Sequence, residues 1–189
     1  MLKNQHPETA RPNGNPAQSA LIVGVFAVVT LVLDLLSKQW AWVALKPPHG
    51  HARMIWSPTL EFSFAFNTGG AFGMLRDAEL GWPVFAGLAA LTLVYVFTLT
   101  VRSPGGGPLR FVALGVIVGG ALGNLHDRVL RVNARGEHGV VDFIKINYPW
   151  GGSWPNFNVA DIALAVGVGL LMLALLREGG APEQPAGAE

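Results

Sequence analysis

The sequence contains no cysteine. That excludes disulfides, a thiol nucleophile and thiolate metal sites. Charge is also sparse: Asp, Glu, Lys and Arg make up 13% of the 189 residues, against roughly 25% in a soluble globular domain. The formal net charge is +1, so the chain lacks the basic footprint of a nucleic-acid-binding protein. A His-Glu-x-x-His zinc motif and a Gly-x-Ser-x-Gly elbow are both missing, and with them the signatures of metalloprotease and serine-hydrolase chemistry. The five histidines fall in the N-terminal tail or in expected loops, where they read as solvated side chains. No metal and no cofactor are expected.

What is abundant is apolar. Hydrophobic residues make up 51% of the chain and cluster in blocks at Leu21–Leu45, Trp82–Val101, Phe111–Leu125 and Val159–Leu176. Each is near the roughly 17–25 residues that a spanning helix needs, the third if it runs on to Arg128 or beyond. The expectation is an all-α membrane protein with four transmembrane helices, which puts both termini on one side. The first block is too long for a signal peptide and no small-x-small cleavage site follows it. Arg102 and Arg110 flank the tight turn between the second and third blocks. The two longer loops carry more basic residues in total, but long loops weigh less in the positive-inside rule, so this turn and both termini are assigned to the cytoplasm. Residues 1–19 and 178–189 are polar or rich in Pro and Gly and read as disordered cytoplasmic tails; residues 20–177 form the membrane domain.

Between the first two blocks, Thr59–Phe66 alternates in character, a strand signal, and ends at the turn signal Asn67-Thr68-Gly69-Gly70. A small extracytoplasmic β-sheet region is expected there. In the first helix Asp34 and Lys38 are spaced to share a face and pair, which lowers the cost of ionisable groups inside a span. In the third, Gly115, Gly119 and Gly123 form a smooth stripe for close helix packing. Asn124, Asp127 and Arg128 follow, with Asp127 suited to a structural salt bridge. At the start of the fourth, Asn158 and Asp161 lie on one side, and Ala165 and Gly169 continue the Asp161 face, which is expected to point toward the third helix. Asp142 sits in the short β-branched run Gly139–Ile144.

Together these residues closely resemble the lipoprotein signal peptidase (signal peptidase II) family. Asp34-Leu35-Leu36-Ser37-Lys38 matches that family's Asp-Gln-x-Thr-Lys with two replacements. Asn67–Gly73 matches its Asn-x-Gly-Ala-Ala-Phe-like segment, with Gly70 where Ala is usual. Gly119–Arg128 matches Gly-Gly-Ala-x-Gly-Asn-x-x-Asp-Arg throughout. Val140–Phe143 is Val-Val-Asp-Phe, and Phe157–Asp161 is Phe-Asn-x-Ala-Asp. The resemblance implies that Asp142 and Asp161 form a catalytic dyad, that Asn67, Asn124, Arg128 and Asn158 line the substrate pocket, and that Asp34, Lys38 and Asp127 support it. It implies a multi-pass enzyme of the bacterial cytoplasmic (inner) membrane, surrounded by membrane lipids. Its substrate is a prolipoprotein, cut just before a diacylglyceryl-modified cysteine; a chain without cysteine fits, because the only cysteine needed is the substrate's. The connection Val129–His138 is longer than is usual for the family and reads as a surface loop.

The implied chemistry is aspartic peptide hydrolysis. Two close carboxyls can share one proton: the charged one activates water and the neutral one polarises the scissile carbonyl. Two other classes stay open on the residues alone. Intramembrane acids also mark proton-coupled transporters, which often show inverted repeats and broken helices near the midplane; no repeat is visible here and the polar residues gather toward one face. A non-catalytic membrane scaffold would not need two facing acids.

Overall fold

The computed structural model describes residues 15–69, 81–102 and 105–179. Along the described chain run α1 (Pro16–Ala44), β1 (Arg53–Trp56), β2 (Leu60–Asn67), α2 (Gly81–Arg102), α3 (Pro108–Leu130), β3 (Val140–Ile146) and α4 (Val159–Gly179). Helix α1 starts earlier than its apolar block suggested. Asn15 accepts the Ala17 N–H at 3.0 Å and Pro16 occupies the first turn, a strong start signal. The residues from Pro16 to Ser19, expected in the tail, are therefore helical, and α4 runs past 177 to Gly179. Helix α3 continues through Arg128 to Leu130, so His126, expected in a loop, lies within a helix.

Three helices, α1, α3 and α4, are long and apolar enough to cross a membrane. The apolar stretch found in α2 is the shorter Gly87–Thr100, so the expected count of four spans is met by composition and length only in three.

Helix α3 is the most buried of the three and packs against α1 on one side and α4 on the other. Glycine makes this possible. A Cβ at Gly115 would stand 2.6 Å from the Val23 carbonyl oxygen, one at Gly119 would stand 2.6 Å from that of Ala27, and one at Gly123 would run into the Asp34 carboxylate. The glycine stripe is thus the seam with α1. The seam with α4 uses Gly120, whose added Cβ would meet the Ala160 carbonyl oxygen at 2.8 Å, and Gly167 against Ile117.

The buried face of α4 is Ala160, Ala163, Gly167 and Ala174, one step around the helix from the face expected. Ala165 and Gly169 are exposed. The reason is that Asp161 does not sit in the helix–helix seam. It projects into a cavity beside it, so the residues below it on the same face point away from α3.

The strands form one antiparallel sheet in the order β1-β2-β3. Phe62, Phe64 and Phe66 of β2, with Val141 and Phe143 of β3, pack against Ala41 and Leu45 of α1. Trp40 meets Phe62 edge-to-face at 5.5 Å and Phe143 at 6.0 Å, favourable ring geometries. Asp142 pairs with Ala65, next to Phe66↔Val141 in the ladder. Because side chains alternate across a strand, the face that carries Asp142 is turned away from α1.

Candidate active site

Asp142 is 3% exposed. Its carboxylate accepts from the Asn67 Nδ2 at 2.9 Å and from the Asn158 Nδ2 at 2.7 Å. Asp161 stands in the first turn of α4 and forms a reciprocal cap with Asn158. The Asn158 Oδ1 accepts the Asp161 N–H at 3.1 Å, and the Asp161 Oδ2 accepts the Asn158 N–H at 3.0 Å. This is the logic of a capping box with Asn and Asp in place of Ser and Glu. The other Asp161 oxygen accepts from the Asn124 Nδ2 at 2.9 Å. Strand β3, the end of β2, the last turns of α3 and the start of α4 thereby bring Asn67, Asn124, Asp142, Asn158 and Asp161 into one network.

Both aspartates open on a cavity of about 440 Å3. Asn67, Thr92, Asn124, Arg128 and Asn156 are among its other polar lining residues, and Leu88, Ala121, Leu125 and Leu164 are among its apolar walls. The guanidinium of Arg128, 7% exposed, feels the charges of Asp142, Asp161 and Asp127. Burial pushes the Asp142 carboxyl up to about 6; the Asn67 bond opposes that rise, the Asp161 charge adds to it, and the Asn158 bond again opposes it. For Asp161 the surroundings differ. It stands in the first turn of α4, at the positive end of the helix dipole.

Behind this site lies a buried support. Lys38 Nζ donates to Asp34 Oδ2 at 2.7 Å, with both side chains fully buried, and to Asn124 Oδ1 at 2.8 Å. Because Lys38 occupies the amide oxygen of Asn124, the amide nitrogen is the end left to face Asp161. The other Asp34 oxygen accepts the Ala160 N–H at 2.8 Å, tying α1 to the first turn of α4. Asp127, also fully buried, accepts from Arg131 Nε at 2.7 Å and from the Val141 N–H at 3.1 Å. It therefore pins β3 at the residue before Asp142. His126 Nδ1 lies 3.3 Å from the same Asp127.

A family model for signal peptidase (SPase) II matches residues 26–177. The chain belongs to the signal peptidase II family. It is 39% identical to the lipoprotein signal peptidase of Symbiobacterium thermophilum, over 80% of this chain and 92% of that one. It is 36% identical to that of Nitratidesulfovibrio vulgaris, over 84% and 90%. Among solved structures it resembles a bacterial membrane enzyme determined by the in meso method at 2.3 Å, with a TM-score of 0.70 and 28% identity over 92% of this chain and 95% of that one.

The motif residues expected near the pocket fall into two groups. Asn67, Asn124, Arg128, Asp142 and Asp161 line the cavity, and Asn158 lies behind it, fully buried, holding both aspartates. Asp34, Lys38 and Asp127 stand one layer further back. Gly70–Gly73 of the second motif lie outside the described residues. Sequence reasoning missed Asn156, which lines the cavity and donates to the Ser63 carbonyl and hydroxyl oxygens, each at 3.1 Å. Its signal was faint: an Asn just before a helix start reads first as loop punctuation. Leu88 and Thr92 of α2 were also missed, because inside an apolar block a cavity wall looks like any lipid-facing residue.

Proposed function

We propose that Asp142 and Asp161 are the catalytic pair of a lipoprotein signal peptidase that cuts prolipoproteins just before their diacylglyceryl-modified cysteine. One observation carries this reading. Two acids from separate elements face one cavity at the outer end of α3, and a single residue, Asn158, hydrogen-bonds both.

The division of labour follows from their settings. Asp142, buried and pushed up to about 6, holds the shared proton and donates it as a hydrogen bond to the scissile carbonyl oxygen. Asp161 takes a proton from the attacking water as the water oxygen bonds to the carbonyl carbon. In the tetrahedral intermediate the former carbonyl oxygen is held by Asp142. Asp161 then passes its proton to the amide nitrogen, the C–N bond breaks, and the carboxyl product and the free amine of the cysteine leave. Asn67, Asn124 and Arg128, with Asn158 behind them, orient the peptide and the lipid linkage. Leu88, Ala121, Leu125 and Leu164 give the cavity an apolar wall suited to acyl chains and to an apolar signal segment.

The enzyme is a multi-pass protein of the bacterial inner membrane, with α2 as a fourth span and both termini in the cytoplasm. The sheet and cavity then stand at the extracytoplasmic surface. This topology is supported by the three apolar helices and by Arg102 and Arg110 at the α2–α3 turn. No observation favours a transporter: the acids gather at one end of the bundle rather than at its midplane.

The test is cleavage by the purified protein of one precursor in two forms, with and without diacylglyceryl on its cysteine. Cleavage before the cysteine in the lipidated form is expected. Equal cleavage of both forms, or of neither, contradicts the reading.

A further inference from the structure

We propose that a second cavity, on the α1 side of the sheet and away from the two aspartates, binds the phosphate of an anionic phospholipid. This cavity has a volume of about 270 Å3 and is lined by Trp42, Lys46, Phe64, Phe66, Asn133 and Arg135 among others. Its floor is aromatic: Trp42 meets Phe64 edge-to-face at 5.7 Å and Phe66 at 5.9 Å. Its rim is cationic. Lys46 Nζ stands 3.5 Å from the centroid of the Trp42 ring, and the Arg131 guanidinium stands 5.2 Å from the same ring. Arg131 is committed to Asp127 and Gln39. Lys46 and Arg135 are not: among the described residues no carboxylate is within ion-pair distance of either. The nearby Glu137 is exposed and is held by Asn133 Nδ2 at 2.6 Å.

The position of this rim selects a lipid. Lys46 directly follows the last turn of α1. Leu36, Trp40 and Val43 are 64%, 39% and 71% exposed, and their spacing puts them on one face that leads up to Lys46. On a membrane-spanning helix such a stripe faces acyl chains, and Trp and Lys are residues of the membrane–water boundary. A phospholipid lying along this stripe brings its phosphate level with Lys46 and Arg135, both suited to charge-assisted bonds with phosphate oxygens. The long connection after α3 gains a role here: it supplies Asn133 and Arg135 on the side of the sheet away from the cleavage site.

The experiment measures thermal unfolding of the full-length protein in detergent. Phosphatidylglycerol is added, then phosphatidylcholine with the same chains, then glycerol 3-phosphate at equal concentration. Phosphatidylglycerol is expected to raise the melting temperature more than the other two. The variant Lys46→Gln/Arg135→Gln keeps the side-chain stems and should lose most of that difference, while Arg177→Gln, at the opposite end of the bundle, should keep it. Cleavage of a lipidated precursor in detergent should be unchanged in the double variant, which separates this site from the proteolytic one. Equal gains from the two phospholipids, or a gain that survives in the double variant, would overturn the proposal. An equal gain from glycerol 3-phosphate would assign the cavity to a soluble phosphate instead.

Discussion

Asn158 and Asp161 cap each other across the first turn of α4, side chain to backbone in both directions, at 3.1 Å and 3.0 Å. The same Asn158 donates its amide to Asp142 at 2.7 Å. One residue therefore starts the helix that carries one acid and fixes the rotamer of the other. Asn158→Ala should lose both functions. Loss of a cap costs about 0.5–2 kcal/mol, and displacement of reacting groups by about 1 Å costs roughly 10²-fold in rate. Thermal unfolding in detergent and kcat on one lipidated precursor should both fall. A variant with normal kcat would mean that Asn158 does not position the pair.

Lys38 is expected to matter first for stability. In Lys38→Ala the buried Asp34 loses its counter-charge, and breaking a buried pair in this way costs about 3–5 kcal/mol. The Asn124 amide also loses the contact that orients it. The melting temperature should drop clearly, and Asp34→Asn/Lys38→Met should recover part of the loss because no lone charge remains. An unchanged melting temperature with lost cleavage would place Lys38 in the chemistry itself.

The pH dependence follows from Asp142. Its proton is needed, and its carboxyl sits at about 6, so kcat/KM of the free enzyme should fall as pH rises through that region. Asn67 donates to the Asp142 carboxylate and so favours its charged form. Removing that donor in Asn67→Ala should make Asp142 hold its proton more tightly and move the descending limb to higher pH. The titration belongs to the coupled pair, so the whole limb is compared between parent and variant. A limb that stays in place, or moves to lower pH, contradicts the assignment of the proton to Asp142.

The connection expected over Val129–His138 begins only after Leu130, where α3 ends, and what remains of it should tolerate trimming. Val132 and His138 bridge its two ends, and Asn133 organises the turn by accepting the Arg135 and Glu137 N–H groups at 2.8 Å and 3.0 Å. Loop-closure entropy changes by only about 0.6 kcal/mol per doubling of length. Removing Asn133–Glu137 should leave the protein folded and cleaving, while weakening the response to phosphatidylglycerol. A folded but inactive product would show that the loop steers the substrate or the dyad.

The membrane helices and the site residues were legible in the sequence to different degrees, for physical reasons. Apolar runs announce α1, α3 and α4 directly, and the glycine spacing in α3 announces close packing but not its partner. Only the fold reveals α1 as that partner. The alternation in Thr59–Phe66 anticipates β2, whereas β1, four residues with every side chain exposed, has no burial pattern to read. The α4 seam was misplaced by one step because an acid facing a cavity and an alanine facing a helix share a periodicity. The motif residues were identifiable by type and order. The chain Asp34–Lys38–Asn124–Asp161 joins helices distant in sequence and becomes visible only once they pack.

The most direct test of the central claim is turnover of one diacylglyceryl-modified precursor by purified Asp142→Asn and Asp161→Asn, each checked for folding by thermal unfolding. Each substitution removes one titrating carboxyl of the pair while keeping its shape. Both proteins should stay folded and nearly lose cleavage before the cysteine. Near-normal turnover by either folded variant would contradict the assignment of Asp142 and Asp161 as the catalytic pair.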